Sequence, residues 1–599
     1  MLPALVFLAG VLPFVQAAGY GIVDLDDYSY LTSYAPITSG LGWEGLKFAF
    51  THLGDSIWMP LTWLSYMIDH SLFGMDSWGP FHVHSLLLHG LNAVLVFLLM
   101  RRIAGFCFEG RPAGLDVACA LAAAVWACHP LRCESVVFLA SRKDVLSLLF
   151  ELLALLVWLA PGERRGLGRQ GFALLLFVMA GMAKPSVMTF PILAFIVDFL
   201  IRRRVRPLDY ILPLALAAAL GWFAGVAQAA GGATENLFGM PFWYRLVNAA
   251  VSFGLYLWNT VWPADLAPQC IIRWPGLPRF CVPGLLICAA VGGWLAWRLL
   301  CIWRRQDELV KVEWSGLIPT WAYAGERAPY LASFTWFAVA VAPMLGIAGF
   351  GYHSMADRFT YIPSIGLALA AAAWLLRLGS HARRVGMAFA VAVCAAFCVC
   401  TWRQTRFWRS DLALFSHTLE VDGDRNASAH GILANWNFEF PHDLERCLGH
   451  FDRMKSLNLR FMESCFQVYV FALCEAGRTE EIPALLKWYD DWLERDIAQN
   501  PRWGRESSRY GFMRTIYQCA RLAYLITQPD LRPVVADQLK ELTCPKDDGS
   551  YLYLVWKLAE AEGRTEDAAK AKEDLATKSA RKGYVQFRYL KVGRKESKP

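Results

Sequence analysis

Three acidic residues, Asp24, Asp26 and Asp27, stand in the run VDLDDYSYL just past an apolar N-terminal stretch, MLPALVFLAGVLPFVQAAGYGIV. Ionised groups at the edge of a membrane are costly unless they are solvated, paired or functional. Paired carboxylates suit a transfer in which a hydroxyl loses its proton as it attacks, one acting as base and the other positioning an acceptor or a cation. The same spacing equally suits a solvated acidic turn that caps the next helix, so both readings stand.

A second chemical stretch, HPLRCESVVFLASRKDVLS, packs His129, Arg132, Glu134, Arg142, Lys143 and Asp144 between apolar runs. Arg142 and Lys143 fit a phosphate or pyrophosphate, Arg as a bidentate fork and Lys as a point charge. The competing reading is a charged cluster snorkelling to lipid headgroups. His129 and Glu134 can both meet a divalent cation beside the first acids, although a His-Pro at a helix end is more often structural. No other cofactor is implied.

The third stretch, GYHSMADRFTYIP, holds His353, Asp357 and Arg358; Arg358 is a further phosphate partner and Asp357 can hold it in place. Lys184, in AGMAKPSVM, is a buried-looking charge that either faces the same cavity or marks a tight turn. Trp58, Pro60, Trp63 and Ser65 in WMPLTWLS read as a packed interfacial helix with aromatic anchors rather than catalytic groups. Asn426 lies in an N-x-S sequon.

The elements that must position these residues are membrane helices. The 599 residues are 56% hydrophobic and only 18% charged, and the mean hydropathy is +0.33. That composition is too apolar for ordinary soluble domains. A crossing needs about 20 apolar residues, and candidates run about 1–19, 84–100, 117–128, 145–160, 171–183, 187–201, 209–230, 246–262, 281–303, 331–350, 361–377 and 384–402. No Lys or Arg precedes the first apolar run, which is a poor start for a cleaved signal peptide, so it is expected to be a span.

The net charge of +7 does not imply nucleic acid, because the basic clusters fall between apolar runs, at Arg101 and Arg102, Arg164 and Arg165, 202–206, Arg304 and Arg305, and Arg383 and Arg384. Retention of positive loops on the cytoplasmic side explains them. Outer loops are then expected at about 20–83, 129–143 and 351–362. The parity holds only if 246–262 is re-entrant or interfacial. Many of the 16 cysteines lie in or beside apolar runs, where a free thiol packs as a small hydrophobe, and no pair of C-x-x-C motifs suggests structural zinc.

From about residue 403 the apolar runs shorten and charges recur at helical spacing, as in TEEIPALLKWYDDWLERDI, so a soluble helical domain is expected over 403–599 after a membrane domain over 1–402. Two turns recur, EAGRTEEI and EGRTEDAA. In each, Gly can close one helix while Thr caps the next with acids in its first turn. Such turns suggest stacked helix hairpins like a degenerate tetratricopeptide array. The basic tail from Lys570 reads as partly disordered.

In this order, VDLDDYSYL, WMPLTWLSYMID with LFG, HPLRCESV with SRKDVLS, AKPSVMTFP with VDF, SMADRFTYIPSIGL, and WRQTRFWRSDLALFSHTLE resemble the transmembrane and tetratricopeptide-repeat O-mannosyltransferase family, more closely its bacterial relatives. The resemblance covers about residues 15–430. It implies an all-α fold: a polytopic GT-C-type glycosyltransferase domain followed by a degenerate tetratricopeptide-like domain. It also implies a sugar donor carried on polyprenyl phosphate and transfer outside the cytoplasm. By that resemblance Asp26 and Asp27 are the catalytic motif; His129, Glu134, Arg142, Lys143 and Asp144 match the second-loop motif; Asp357 and Arg358 match the third. The expected acceptor is a protein hydroxyl, with a lipid or glycan acceptor as the rival, and membrane lipids as further partners. A bacterial inner-membrane location with a periplasmic C-terminal domain follows. A non-catalytic scaffold or transporter is the alternative from another class.

Overall fold

The structure is a computed structural model, and it describes residues 1–53, 56–108, 111–161, 166–230, 240–268, 270–271, 280–306, 310–315, 318–323, 327–347, 353–439, 442–457, 465–499, 508–542 and 549–582. Arg164, Arg165, Gly351, Tyr352 and the tail beyond Lys582, which belong to the basic connectors, the third stretch and the basic tail, lie outside these residues. The chain divides into two compact units, Met1–Ser410 and Asp411–Pro599.

The protein is all-α and polytopic. Six of its described helices are long and apolar enough to cross a membrane: Leu2–Gly19, Gly79–Cys107, Pro185–Arg202, Pro207–Ala230, Cys281–Arg304 and Ser380–Phe407. Cys281–Arg304 has a mean hydropathy of 2.0 but only 6% of it is buried, and Ser380–Phe407 has 2.2 with 11% buried. Apolar surface left uncovered on that scale would be unstable in water, so hydrocarbon must be its solvent. Leu167–Ala183, Pro329–Met344 and Ser364–Arg377 are shorter apolar helices, and Arg142–Trp158 is a 17-residue helix that begins on charged residues.

Leu115–Ala127 and Pro130–Val137 satisfy the same criterion together but are bent by 57°. The bend has a local cause. Pro130 lacks an amide donor and forces the preceding residue out of helical geometry, and His129 is indeed extended at φ −69, ψ 137. Phe242–Val261, which carries the segment expected to be re-entrant or interfacial, is one uninterrupted 20-residue helix. One of its faces packs on Phe337, Val341 and Met355, while Trp258 and Val261 stay exposed.

Glycines set the closest helix approaches. A Cβ on Gly90 would lie 2.7 Å from the Phe7 ring, and one on Gly254 would lie 2.0 Å from the Gly284 carbonyl oxygen. Small residues at such crossings let backbones pack where lipid gives no hydrophobic driving force. Short antiparallel ribbons complete the first unit: Val310–Ser315 pairs with Ile318–Tyr323, which also pairs with Arg204–Val205, and Cys270–Ile271 pairs with His353–Met355. The last pairing, with the Tyr256 hydroxyl accepting from the Ala356 amide at 3.1 Å, fixes the strand that leads into Asp357.

The unit Asp411–Pro599 is built of amphipathic helices around a core that includes Phe451, Phe466, Tyr469, Phe471, Tyr489 and Tyr553. Phe471 stacks on Tyr553 with centroids 4.3 Å apart. Ala427–Glu439 packs on Leu444–Leu457, and Gly549–Ala561 on Thr565–Lys582. Both recurrent turns close as read: Gly477 and Gly563 each have φ +73. The Arg478 amide donates to the Leu473 carbonyl, and Arg564 to Ala559, each at 2.9 Å, the bond of a left-handed helix end. The threonines do not cap. Arg478 occupies the cap before Thr479 with no side-chain bond, and Thr565 is already the first helical residue. Arginine does the joining instead, Arg478 to Glu481 at 2.6 Å and Arg564 to Asp567 at 2.7 Å.

Candidate active site

Asp27 begins the short helix Asp27–Thr32 and is buried. Its carboxylate accepts from two backbone amides, Ala140 at 2.7 Å and Val23 at 3.2 Å. It therefore stitches the segment after the first helix to the turn that precedes Arg142. Asp26, one residue earlier, differs: its side chain is 47% exposed and one oxygen stands 3.9 Å from the Lys143 ammonium. Adjacent residues at a helix start diverge by about 100°, so one goes inward and its neighbour toward solvent. Asp24 is half-buried.

Lys143 is itself buried, donates to the Tyr30 hydroxyl at 3.2 Å and lies 4.5 Å from that ring's centroid. Tyr30 in turn meets Trp63 edge-on at 5.1 Å. Trp63 belongs to the helix Pro60–Phe73, most of whose residues are buried, so WMPLTWLS forms part of the packed wall. Tyr34, Phe48 and His52 continue this aromatic group; Phe48 and His52 stack at 4.3 Å.

The segment from Asp357 converges on the same place. Glu134 binds Arg358 twice, accepting from its guanidinium and, at 2.9 Å, from its backbone amide. Asp144 pairs with Lys184, whose ammonium lies 5.5 Å from the Phe359 ring that Arg358 also covers at 5.0 Å. Arg358 lies within electrostatic reach of both Asp26 and Asp144. Burial alone would lower its pKa, but the Glu134 carboxylate outweighs this and holds the guanidinium charged. Asp357, buried and facing the Glu134 charge, has its carboxyl pushed well above the ordinary range. Asp26, Lys143, Glu134, Asp144, Lys184, Asp357 and Arg358 thus form one charged cluster drawn from four segments.

Arg142 and His129 stand apart from it. Arg142 is fully buried; its guanidinium is bound to Asp69, donates to the Phe81 carbonyl at 2.7 Å and to Ser85 at 3.1 Å, and covers the Tyr66 ring at 4.9 Å. Each of its three nitrogens is thus engaged by the protein. His129 has one ring nitrogen 3.0 Å from the Thr260 carbonyl, while the other accepts from the Leu131 amide at 3.1 Å. Glu134 and Asp144 are likewise engaged by Arg358 and Lys184. His129, Glu134 and Asp144 thus each already hold a protein partner.

Asp69 is the member that sequence reading missed. It is a lone carboxylate in the apolar run WMPLTWLSYMID, buried, bound by Arg142 and 2.8 Å from His84. The signal was available, since a charge inside such a run requires a partner. Arg132 belongs to the second of the chemical stretches. It is buried, donates to the Thr360 hydroxyl at 3.1 Å, and lies 5.4 Å from the ring centroids of both Trp126 and Tyr361.

Beside Arg132 opens an apolar cavity of about 630 Å³, whose walls include Val125, Trp126, Leu257, Ile287, Leu367 and Phe397. The turn Asp357–Thr360 therefore carries both Arg358 of the charged cluster and the hydroxyl that holds Arg132 at the cavity wall.

No known protein family and no solved structure matches the chain. Among curated proteins, the Protein O-mannosyl-transferase TMTC2 of Mus musculus is 30% identical over 117 residues. The match takes in 19% of this chain and 13% of the mouse protein, so the chain spans a small part of that relative's length.

Proposed function

We propose that this protein is a GT-C-type glycosyltransferase that moves a sugar, mannose by precedent of the similar mouse protein's name, from a polyprenyl-phosphate carrier to a hydroxyl acceptor, most simply a protein Ser or Thr. The observation that carries the reading is Asp26. It is a half-exposed carboxylate, set apart from its buried neighbour Asp27, at the edge of a cluster of Lys143 and Arg358. In this reading Asp26 takes the proton from the acceptor hydroxyl as that oxygen attacks the anomeric carbon. The bond to the carrier phosphate breaks, its electron pair stays on the leaving phosphate, and configuration at the anomeric carbon inverts.

Lys143 and Arg358 would offset the charge that grows on that phosphate. Glu134 holds Arg358 oriented, and Asp27 holds Asp26 in place through the Ala140 amide. The isoprenoid tail suits the apolar cavity beside Arg132, and the Tyr34, Phe48 and His52 rings offer faces to a sugar. The second unit, with helix hairpins of tetratricopeptide character, would select the acceptor on the periplasmic side of a bacterial inner membrane. Transfer to a lipid or glycan acceptor would use the same groups.

The test is transfer from radiolabelled polyprenyl-phosphate-mannose to a periplasmic extract by purified protein in nanodiscs. Wild type should label acceptor, and Asp26→Asn should lower turnover by roughly 10²–10⁴-fold, the usual worth of a general base, with an unchanged elution profile. Full turnover by Asp26→Asn, or no transfer from mannose, glucose or galactose donors, would reject the reading.

A further inference from the structure

Cys128 caps the helix Leu115–Ala127 at the bend, and Cys394 and Cys398 stand one turn apart on Ser380–Phe407. Residues four apart share a helix face. The Cys128 and Cys394 sulfurs are 3.5 Å apart, and the sulfurs of all three lie within 4.8 Å of one another, the one such group of His, Cys, Asp or Glu ligand atoms among the described residues. The Thr401 hydroxyl donates to the Cys128 carbonyl at 2.6 Å and locks the two helices in this register. We propose that these three thiols form a binding site for a soft, thiophilic metal ion, Cu(I).

The geometry suits a trigonal site. A metal bonded to sulfur at about 2.3 Å places three coplanar sulfurs about 4.0 Å apart, so the observed triangle needs only small rotations about the cysteine side chains. The donor set selects the metal. Structural zinc takes a fourth protein ligand, and the adjacent imidazole of His129 cannot supply it because both nitrogens are engaged. Thiolates alone, in low coordination, favour Cu(I).

Binding would form three Cu–S bonds and release three thiol protons, with no change of oxidation state. Access exists too: Cys398 lines a cavity of about 570 Å³ together with Leu12, Pro13, Trp402, Arg403 and Arg406.

The test is anaerobic titration of the purified, reduced full-length protein with Cu(I) against bicinchoninate, with X-ray absorption of the loaded sample. Wild type should bind one ion per chain that Cys394→Ser and Cys398→Ser lose, with sulfur neighbours at about 2.3 Å. Removing a direct ligand should weaken binding by more than the roughly 10–100-fold typical of outer-sphere changes. Cys400→Ser, exposed on the same helix, should bind as wild type. Equal binding by the Ser variants, preferential loading by Zn(II) in competition, or a disulfide among these cysteines in the protein as isolated would each overturn the proposal. Elution profiles of the variants distinguish loss of ligand from loss of fold.

Discussion

Arg142 separates a structural from a catalytic use of one basic residue. In Arg142→Gln the Asp69 carboxylate, only 2% exposed, loses its cation. Breaking a buried ion pair from one side costs about 3–5 kcal/mol. His84, 2.8 Å from Asp69 and 32% exposed, can remain as a partner and draws the expectation toward the lower end. The Phe81 carbonyl and Ser85 also lose a charged donor, and each buried acceptor left unpaired adds about 1–3 kcal/mol. We expect destabilisation of at least about 3 kcal/mol, read as a lower unfolding midpoint in mixed micelles, while the folded fraction keeps wild-type KM for donor. Arg142→Met with Asp69→Leu should recover most of the loss, because well-packed apolar replacements of a buried pair are often neutral. A phosphate ligand predicts the reverse: unchanged stability, and a donor KM raised by roughly 10–150-fold for the 1.5–3 kcal/mol of one charge-assisted bond. That outcome would refute the structural assignment.

Lys143→Ala should show that kinetic pattern, raising donor KM by roughly 10–150-fold while the Asp27 bridge keeps the loop folded; an unchanged KM in steady-state transfer assays would count against Lys143 as a phosphate partner. Glu475 in the second unit accepts from His442 at 2.8 Å and Tyr553 at 2.6 Å and pairs with Lys557. Burial opposes ionisation there, yet the His442 bond, with Lys557 and Tyr553, lowers its pKa from 4.5 to about 2. A depressed carboxyl contributes stability above its unfolded pKa and loses it as pH falls, here between about 4.5 and 2, worth on the order of 3 kcal/mol. Chiefly through the same bond, the His442 pKa is raised, so its contribution is full below 6.5 and fades as pH rises through the folded value. Thermal scans against pH should show both limbs in wild type and neither in Glu475→Gln. Gly254→Val should separate Phe242–Val261 from Cys281–Arg304, since even a Cβ there would lie 2.0 Å from the Gly284 carbonyl; cysteine cross-linking of the two helices should fall, and unaltered cross-linking would show that the crossing gives way elsewhere.

The sequence by itself determined the solvent and the alphabet of this protein. Apolar runs such as Cys281–Arg304 must lie in hydrocarbon whatever their neighbours, and the glycines of EAGRTEEI and EGRTEDAA must end helices because few other residues adopt positive φ. Charges stranded between apolar runs also announce themselves, which is why the stretches bearing Asp26, Lys143 and Arg358 could be picked out before their meeting was known. What each charge does was decided only by the tertiary structure. Asp26 and Asp27 are chemically identical, and one helical step turns the first toward solvent and the second onto the Ala140 amide. Arg142 and Lys143 are likewise adjacent, yet Asp69 occupies the first, and the second reaches the cluster. Cys128 and Cys394 are 266 residues apart, a separation at which no local pattern predicts contact; their meeting follows from the packing of whole helices.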